Sequence, residues 1–288
     1  MHFPLTDSHL HLWDKQHLQY PWLEKTPLLN QSFLLSDLME ATHSLHIESF
    51  VFVQAGCSPA QSLEEVNWVT HLAKRDARIH GIVAHAPLEQ GIDVKPYLAT
   101  LHQNKLVKGV RRLLQAEADD FCLQQNFIDG VRSLVEFNFN FDICVKAHQL
   151  PAVIRLVEQC PEIKFILDHL GKPNIAEKQF DSWQENITRL AALPNVWCKI
   201  SGLITEAHHQ TWCSDDLKPY ILHAINQFGF DRVMFGSDWP VVNLAGSYTH
   251  WVHTLYDLLH TYPESELKKF FHQNTWRCYR LESEIVEI

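Results

Sequence analysis

Eight short apolar runs, each about the length of a β-strand, alternate along this chain with longer amphipathic segments. The runs are apolar on both faces, which is typical of a parallel sheet covered by helices. An open doubly wound sheet would alternate in the same way, but the glycine-rich phosphate loop that usually follows an early strand of such a sheet is missing. We therefore predict an α/β fold, a closed (β/α)8 or TIM barrel. The predicted strands span residues 5–11, 49–54, 80–85, 107–114, 141–146, 164–169, 196–201 and 232–238.

Helix boundaries and the absence of a visible linker support the same architecture. Ser214 is a candidate N-cap for a helix over residues 215–228, and Gly229 lies where a C-cap glycine belongs. No long stretch rich in glycine, serine or proline interrupts the chain. We therefore expect one domain over residues 1–288, a length that is reasonable for a barrel of this kind.

Composition excludes several classes of partner. Hydrophobic residues make up 46% of the 288-residue chain, enough to fill a sizeable core. The net charge of −10 would repel phosphate backbones, so we expect no nucleic-acid partner. No apolar run approaches the roughly 20 residues of a membrane span, and no signal peptide is visible. Seven cysteines without a C-x-x-C pair are typical of reduced thiols, which favours a cytoplasmic protein.

The end of the first predicted strand carries a histidine pair. In a (β/α)8 barrel the active site lies at the carboxyl ends of the strands. Within DSHLHLW, strand alternation places His9 and His11 on one face, with Asp7 one step below them. Two inward imidazoles suit either a metal ion or the polarisation of a substrate oxygen. A chance H-x-H in a chain with 19 histidines is the alternative.

Two further strand ends carry candidate catalytic groups. In FILDHLGKP, His169 shares a face with the apolar residues of the strand, which places Asp168 on the opposite face. In MFGSDWPV, Asp238 follows an uncharged run and is a candidate general base toward water or a metal ligand. A buried core histidine and an Asx-type turn before Pro240 are the respective structural alternatives.

Other polar and aromatic residues are candidates for substrate binding. In VKGVRRLLQ, alternation favours Arg111 over Arg112 as the guanidinium at the barrel mouth, where its planar fork would bind oxygens. The segment from Trp13 to about Gln31 is aromatic and proline-bearing, and we expect it to cover the mouth. The remaining candidates for substrate contacts are Gln54, Trp13, His148 and Trp239.

Five segments together carry a resemblance to a known family. DSHLHLWD, KGVRRLLQ, FILDHLGKP, VWCKISGL and MFGSDWPV occur in an order that resembles the amidohydrolase superfamily, in particular its lactonase branch. The chain is most similar to hydrolases of L-fuconolactone and L-rhamnonolactone. The resemblance implies an amidohydrolase-like (β/α)8 barrel that opens a lactone. The family's functional positions fall on His9, His11, His169, Asp238 and Arg111.

The departures from the family bear on the metal. Many metal-bearing relatives bridge two ions with a residue on the fourth strand, but alternation excludes Lys108 from that role. A fifth-strand histidine ligand is also missing, because His148 lies beyond the predicted strand. The resemblance therefore implies at most one divalent ion of the zinc type, held by His9, His11 and Asp238. A metal-independent enzyme, with the histidines polarising the carbonyl, is the alternative.

These features predict an enzyme that hydrolyses a sugar-acid lactone to its aldonate. Asp238 would activate water, while His9, His11 and His169, or a metal that they hold, would stabilise the oxyanion. The alternatives are an aromatic dicarboxylate lactonase, a metal-dependent decarboxylase, or a sugar-binding barrel without catalysis. The expected partner is a small-molecule lactone, and a homo-oligomer is compatible with the sequence.

Overall fold

The structure, a computed structural model that describes residues 2–281, contains eight strands that pair in parallel, each with the next along the chain. All eight apolar runs of the sequence form strands of this sheet. They are β1 (Leu5–Leu10), β2 (Ile47–Val53), β3 (Ile79–His85), β4 (Val107–Arg111), β5 (Asn140–Ile143), β6 (Phe165–Leu167), β7 (Val196–Ile200) and β8 (Val233–Phe235).

The sheet closes on itself between its first and last strands. The backbone N–H of Asp238 donates to the carbonyl of His9, and the N–H of His11 donates to the carbonyl of Trp239, both at 2.8 Å. These bonds continue the ladder across the gap between β8 and β1. The predicted (β/α)8 barrel is therefore confirmed.

Several strands are shorter than the sequence predicts. The apolar runs continue past the hydrogen-bonded ladder, so β4 ends at Arg111 instead of residue 114, and β6 ends at Leu167 instead of residue 169. β8 likewise ends at Phe235, three residues before Asp238. An apolar run in the sequence indicates that a segment is buried. A residue belongs to a strand only if its backbone is also hydrogen-bonded to a neighbouring strand. The polar residues of interest therefore lie just beyond the strands, in loops that need not alternate.

Helices cover the outside of the barrel. The predicted C-cap Gly229 ends its helix with φ +68°, but Ser214 is the first helical residue and not the N-cap. The N-cap is Cys213, whose N–H donates to the carboxylate of Asp216 at 2.9 Å. None of the helices within residues 2–281 has the length and apolar character needed to cross a membrane. The α-helices are α1 (Leu35–Thr42), α2 (Ser62–Ala73), α3 (Lys95–His102), α4 (Gln125–Arg132), α5 (Leu150–Gln159), α6 (Asp181–Ala191), α7 (Ser214–Phe228), α8 (Tyr248–Leu259), α9 (Glu264–Lys268) and α10 (Asn274–Tyr279).

A close backbone approach at Gly130 gives a stability test of this packing. A Cβ on Gly130, in the middle of α4, would lie 2.0 Å from the carbonyl oxygen of Leu88. Alanine normally stabilises a helix by about 1 kcal/mol over glycine. Here we expect Gly130→Ala to lower the free energy of unfolding by about 3 kcal/mol, because α4 must move outward. Urea denaturation measures this change.

The matched control is Gly229→Ala. The added Cβ meets no atom within 4 Å there, and only the backbone of this residue, with φ +68° and ψ 163°, opposes the change. We expect a loss of about 1 kcal/mol. Equal losses at the two glycines would contradict the close approach of α4 to Leu88.

Candidate active site

A cavity of about 470 Å³ opens at the carboxyl ends of the strands, a size typical of small-molecule sites. Four residues singled out in the sequence line its polar end: His11, Arg111, His169 and Asp238. His9 lies immediately behind them and is fully buried. The predicted histidines and aspartate therefore meet at one end of the barrel.

Three acceptor atoms converge on one point in this cluster. The Nε2 atoms of His9 and His11 are 3.2 Å apart, and Oδ1 of Asp238 lies 3.7 Å and 3.3 Å from them, respectively. Nδ1 of His11 contacts the carbonyl oxygen of Val53 at 2.7 Å. Because a carbonyl can only accept, this nitrogen carries the proton, and Nε2 of a neutral His11 presents a lone pair.

The donor set fits a single divalent ion. Two ligands that are each about 2.0–2.1 Å from a tetrahedral ion lie about 3.3 Å from one another, close to the three separations above. Burial lowers the pKa of His9 and of His11, which favours the neutral, ligating imidazoles. His9, His11 and Asp238 could therefore hold one ion of the zinc type. A second group, His9, Asp168 and His169, shares His9 with the first.

Asp238 reaches the cluster through an unusual backbone conformation. It lies three residues beyond β8 and has φ +59°, in the left-handed region that non-glycine residues rarely adopt. The N–H bond to the carbonyl of His9 fixes this conformation. Burial alone would raise the pKa of Asp238, but the adjacent His169 and His11 hold it below its usual value. Asp238 is therefore an ionised carboxylate near neutral pH.

Asp168 also lies inside the barrel, so its predicted placement on the opposite face is wrong. Its Oδ2 accepts from Arg111 at 3.0 Å, and its Oδ1 lies 3.1 Å from Nζ of Lys199 and 3.2 Å from Nδ1 of His9. Strand alternation does not apply, because β6 ends at Leu167. Burial opposes the charge of Asp168, but these cations and His9 hold its pKa well below the usual value.

The chain after Asp168 forms one left-handed turn. His169, Leu170, Gly171 and Lys172 all have φ between +47° and +68°, and the N–H of Lys172 donates to the carbonyl of His169 at 2.9 Å. Such a run is costly, about 1–2 kcal/mol for each non-glycine residue. Trp183 holds the turn by donating to the carbonyl of Leu170 at 2.7 Å. The turn brings both His169 and Lys172 to the cavity wall.

A buried ion-pair network lies below the cluster. Nζ of Lys199, fully buried on β7, is 2.6 Å from Oδ2 of Asp142 on β5, which also accepts from the hydroxyl of Tyr279 at 2.5 Å. Burial raises the pKa of Asp142 to about 6, although the charge of Lys199 opposes the rise. The sequence prediction missed Asp142 and Lys199. A charged residue inside each of two apolar runs, FDICV and VWCKI, was the available signal.

Asp7 does not lie below the histidine pair as predicted. Its carboxylate accepts from the hydroxyl of Tyr248 on α8 at 3.0 Å and from the N–H of Ser237 at 2.8 Å. The pairing of β1 with β2 is irregular between Asp7 and Leu10, so simple alternation along β1 fails. Asp7 therefore ties β1 to the loop that carries Asp238.

Arg111 is the last residue of β4, and Arg112 follows it directly. The two side chains have different surroundings. Arg111 is buried at the cavity, donating to Asp168 and, at 2.6 Å, to the carbonyl of Gln54. Arg112 pairs instead with Glu89 at 3.1 Å and Glu117 at 2.7 Å. The preference for Arg111 at the mouth is therefore correct.

Four other substrate candidates lie outside the cavity wall. The side-chain oxygen of Gln54 accepts from Gly56 at 2.6 Å. Trp13 and Trp239 are buried on either side of Phe33, with ring centroids 5.3 and 5.5 Å from it. The side chain of His148 is 60% exposed and lies 3.2 Å from Asp119. These placements correct the expectation that the four line the site, because strand ends and aromatic content do not specify direction.

The segment over residues 13–31 does reach the mouth of the barrel, through two of its members. Pro21 and Trp22 line the cavity, and the indole N–H of Trp22 donates to the carbonyl of Ala55 at 2.8 Å.

Lys108, which alternation excluded as a bridging ligand, lies three residues before Arg111, and its backbone carbonyl accepts a hydrogen bond from Arg280.

The amidohydrolase family model matches residues 6–281, which includes all eight strands and the cluster of His9, His11 and Asp238. The chain belongs to the amidohydrolase family. It is 32% identical over 292 residues to an L-fucono-1,5-lactonase of Burkholderia multivorans, covering 96% of this chain and 95% of the relative. It is 23% identical over 238 residues to a 4-sulfomuconolactone hydrolase of Rhizobium radiobacter, covering 81% and 75%.

A solved structure has the same fold. The crystal structure of an amidohydrolase from Burkholderia multivorans with bound zinc superposes with a TM-score of 0.86 at 30% identity. The superposition covers 97% of this chain and 100% of that chain. The likeness extends over the whole barrel.

The buried network below the cluster gives a stability test. Lys199→Met leaves Asp142 and Asp168 without the cation that they share. Because an uncompensated buried charge is strongly destabilising, we expect the free energy of unfolding to fall by about 3–5 kcal/mol. Asp168 still pairs with Arg111, so the double variant Lys199→Met/Asp142→Asn removes the carboxylate that is left without a cation, and part of this loss should be recovered.

Urea denaturation measures both variants, and Lys218→Met, at an exposed position on α7, is the matched control. We expect the control to change stability by less than about 0.5 kcal/mol. A Lys199→Met protein as stable as this control would contradict the pairing.

Proposed function

We propose that the protein hydrolyses a sugar-acid lactone of the L-fuconolactone or L-rhamnonolactone type to its aldonate. The observation that carries the proposal is the ionised Asp238 carboxylate beside His9 and His11 at the wall of a small-molecule cavity. The lactonase named among the relatives supports this substrate class. The protein is a hydrolase that acts on a cyclic ester, and the particular sugar is the proposed part.

Asp238 is the proposed general base. Hydrolysis adds the oxygen of water to the carbonyl carbon and breaks the ring C–O bond, so the water must lose a proton as it attacks. Asp238 is ionised and lines the cavity, so it can accept that proton. His169, whose pKa burial lowers to about 4, is neutral and lies beside it.

We propose one divalent ion, held by His9, His11 and Asp238. When bound, the ion supplies a Lewis acid for the carbonyl and an acidified water. A metal-free role for His11 is less favourable, because its Nδ1 proton is committed to Val53 and its neutral Nε2 has no proton to donate. Asp168, whose Oδ1 lies 3.2 Å from Nδ1 of His9, is the proposed orienting group for that ring.

Arg111 is the proposed substrate-binding cation. Its guanidinium lines the cavity and is held by Asp168, by the carbonyl of Gln54 and by Nε2 of His9 at 3.2 Å, so its orientation is fixed before substrate enters. Within residues 2–281, the Nε–H of Arg111 has no hydrogen-bond partner. An oriented guanidinium is suited to bind the carbonyl oxygen or a hydroxyl of a lactone.

An aromatic dicarboxylate lactonase or a decarboxylase would need several free cations for its substrate. The cavity-lining cations, Arg111 and Lys172, each have a carboxylate partner instead, Asp168 and Glu206. A sugar-binding barrel without catalysis would gain nothing from an ionised base at its wall.

We also propose that the chain acts as one domain, and that its free cysteines fit a reducing compartment such as the cytoplasm.

Removing the base tests the mechanism. Asp238→Asn keeps the shape of the side chain but removes the proton acceptor, so we expect kcat on L-fuconolactone to fall by about 10²–10⁴-fold. Asp181→Asn, at an exposed position on α6, is the control and should turn over normally. An Asp238→Asn enzyme with near-full activity would remove this residue from the mechanism.

Metal content tests the ligand set. We expect at most one equivalent of zinc per chain, and about 10-fold or greater weakening of zinc binding in His11→Ala, measured by elemental analysis and chelator competition. Chelation should abolish turnover and zinc should restore it. Two equivalents per chain would contradict the proposed site, and full activity after complete metal removal would favour the metal-independent mechanism.

The arginine pair tests substrate binding. Arg111→Lys should lower kcat/KM by about 10-fold or more, because an ammonium cannot reproduce the planar fork. Arg112→Lys, whose side chain pairs with surface carboxylates, should change kcat/KM by less than about twofold. The opposite order of effects would mean that Arg112 faces the substrate.

A further inference from the structure

The cavity wall contains a second cation that catalysis does not use. Lys172 lines the cavity with Asp238 and His169, at the end of the left-handed turn. Its ammonium lies 3.4 Å from Oε1 of Glu206, and both side chains are only about one-fifth exposed, 20% and 23%. Burial works against the charge of Lys172, but the neighbouring Cys144, Glu206 and Asp238 together keep its pKa above the usual value.

The pair is held in place by the backbone on both sides. Glu206 ends the short turn Leu203–Glu206 that follows β7, and its carbonyl accepts from the N–H of Ala176 at 3.0 Å. This bond joins the loop that carries Lys172 to the loop that carries Glu206. The strained turn before Lys172 persists only because its surroundings fix it, which is typical of residues positioned for function.

The charges at the cavity therefore compensate one another. Arg111 is neutralised by Asp168, and Lys172 by Glu206. Asp238 is the remaining charged residue of the wall, and among residues 2–281 it forms no ion pair with a lysine or an arginine.

We propose that Glu206 is a specificity-determining residue: by neutralising Lys172, it makes the cavity accept neutral lactones and bind carboxylate-bearing ligands weakly. The inference rests on the proposed function and names its substrate class more closely. Hydrolysis of a neutral lactone releases an aldonate, which carries a new carboxylate. The same ion pair therefore weakens the binding of the product and favours its release.

The first test measures product binding directly. Calorimetry with L-fuconate compares the wild-type protein with Glu206→Gln, Lys172→Met and the double variant. Glu206→Gln frees the ammonium for the ligand carboxylate, and we expect L-fuconate to bind about tenfold more tightly, the effect of one charge-assisted hydrogen bond. The gain should shrink as salt is added. It should disappear in the double variant, because it depends on Lys172.

Two controls separate this effect from general ones. Glu185→Gln removes an acidic group at an exposed position on α6, and so changes the net charge equally. Lys178→Met changes another lysine with a left-handed backbone, φ +52°, that is exposed and outside the cavity wall. Neither control should alter L-fuconate binding by more than about twofold.

The second test measures specificity. The ratio of kcat/KM for D-glucaro-1,4-lactone, which carries a carboxylate, to that for L-fuconolactone should rise about tenfold in Glu206→Gln. Unchanged L-fuconate binding in Glu206→Gln, or a gain that persists in the double variant, would overturn the proposal. If the wild-type enzyme opened no sugar lactone, the proposed function would fail, whereas calorimetry would still decide the role of Glu206.

Discussion

The rest of the site depends on the ion pairs made by the buried carboxylate of Asp168. Three groups from three other strands meet at it: Lys199 of β7, Arg111 of β4 and His9 of β1. Each of these groups would be costly to bury alone in an apolar barrel. The carboxylate therefore compensates two cations and orients one imidazole, and it couples strands that are not adjacent in the sheet.

The tautomer of His11 is set in a similar way by the main chain. The carbonyl of Val53, at the end of β2, accepts the Nδ1 proton, and the other nitrogen consequently points toward His9 and Asp238. A backbone carbonyl cannot exchange roles as a hydroxyl can. The direction in which the ring presents its lone pair is thus a property of the barrel backbone and not of any further side chain.

The sequence predicted the structure correctly where the backbone is regular. Alternating apolar runs predicted all eight strands, and parity within β4 distinguished Arg111 from Arg112. It failed where the backbone leaves the ladder. Asp168 precedes a left-handed turn and Asp7 lies at an irregular pairing, so neither follows a period of two.

Other errors came from treating residue type as a guide to direction. Trp13 and Trp239 are aromatic and near the mouth, but they pack on Phe33 and stabilise the loops, while the half-buried Trp22 faces the cavity. Which face of an aromatic side chain is covered depends on its tertiary neighbours. Those neighbours come from distant parts of the chain, and one sequence does not reveal them.

The seam between β8 and β1 also governs when this site can exist. The bonds that close the barrel are made by the backbone of His9, His11 and Asp238, whose side chains form the cluster. A chain leaving the ribosome presents its histidine pair first and its aspartate more than two hundred residues later. The complete set of His9, His11 and Asp238 therefore comes together only when β8 joins β1, and its assembly coincides with completion of the barrel.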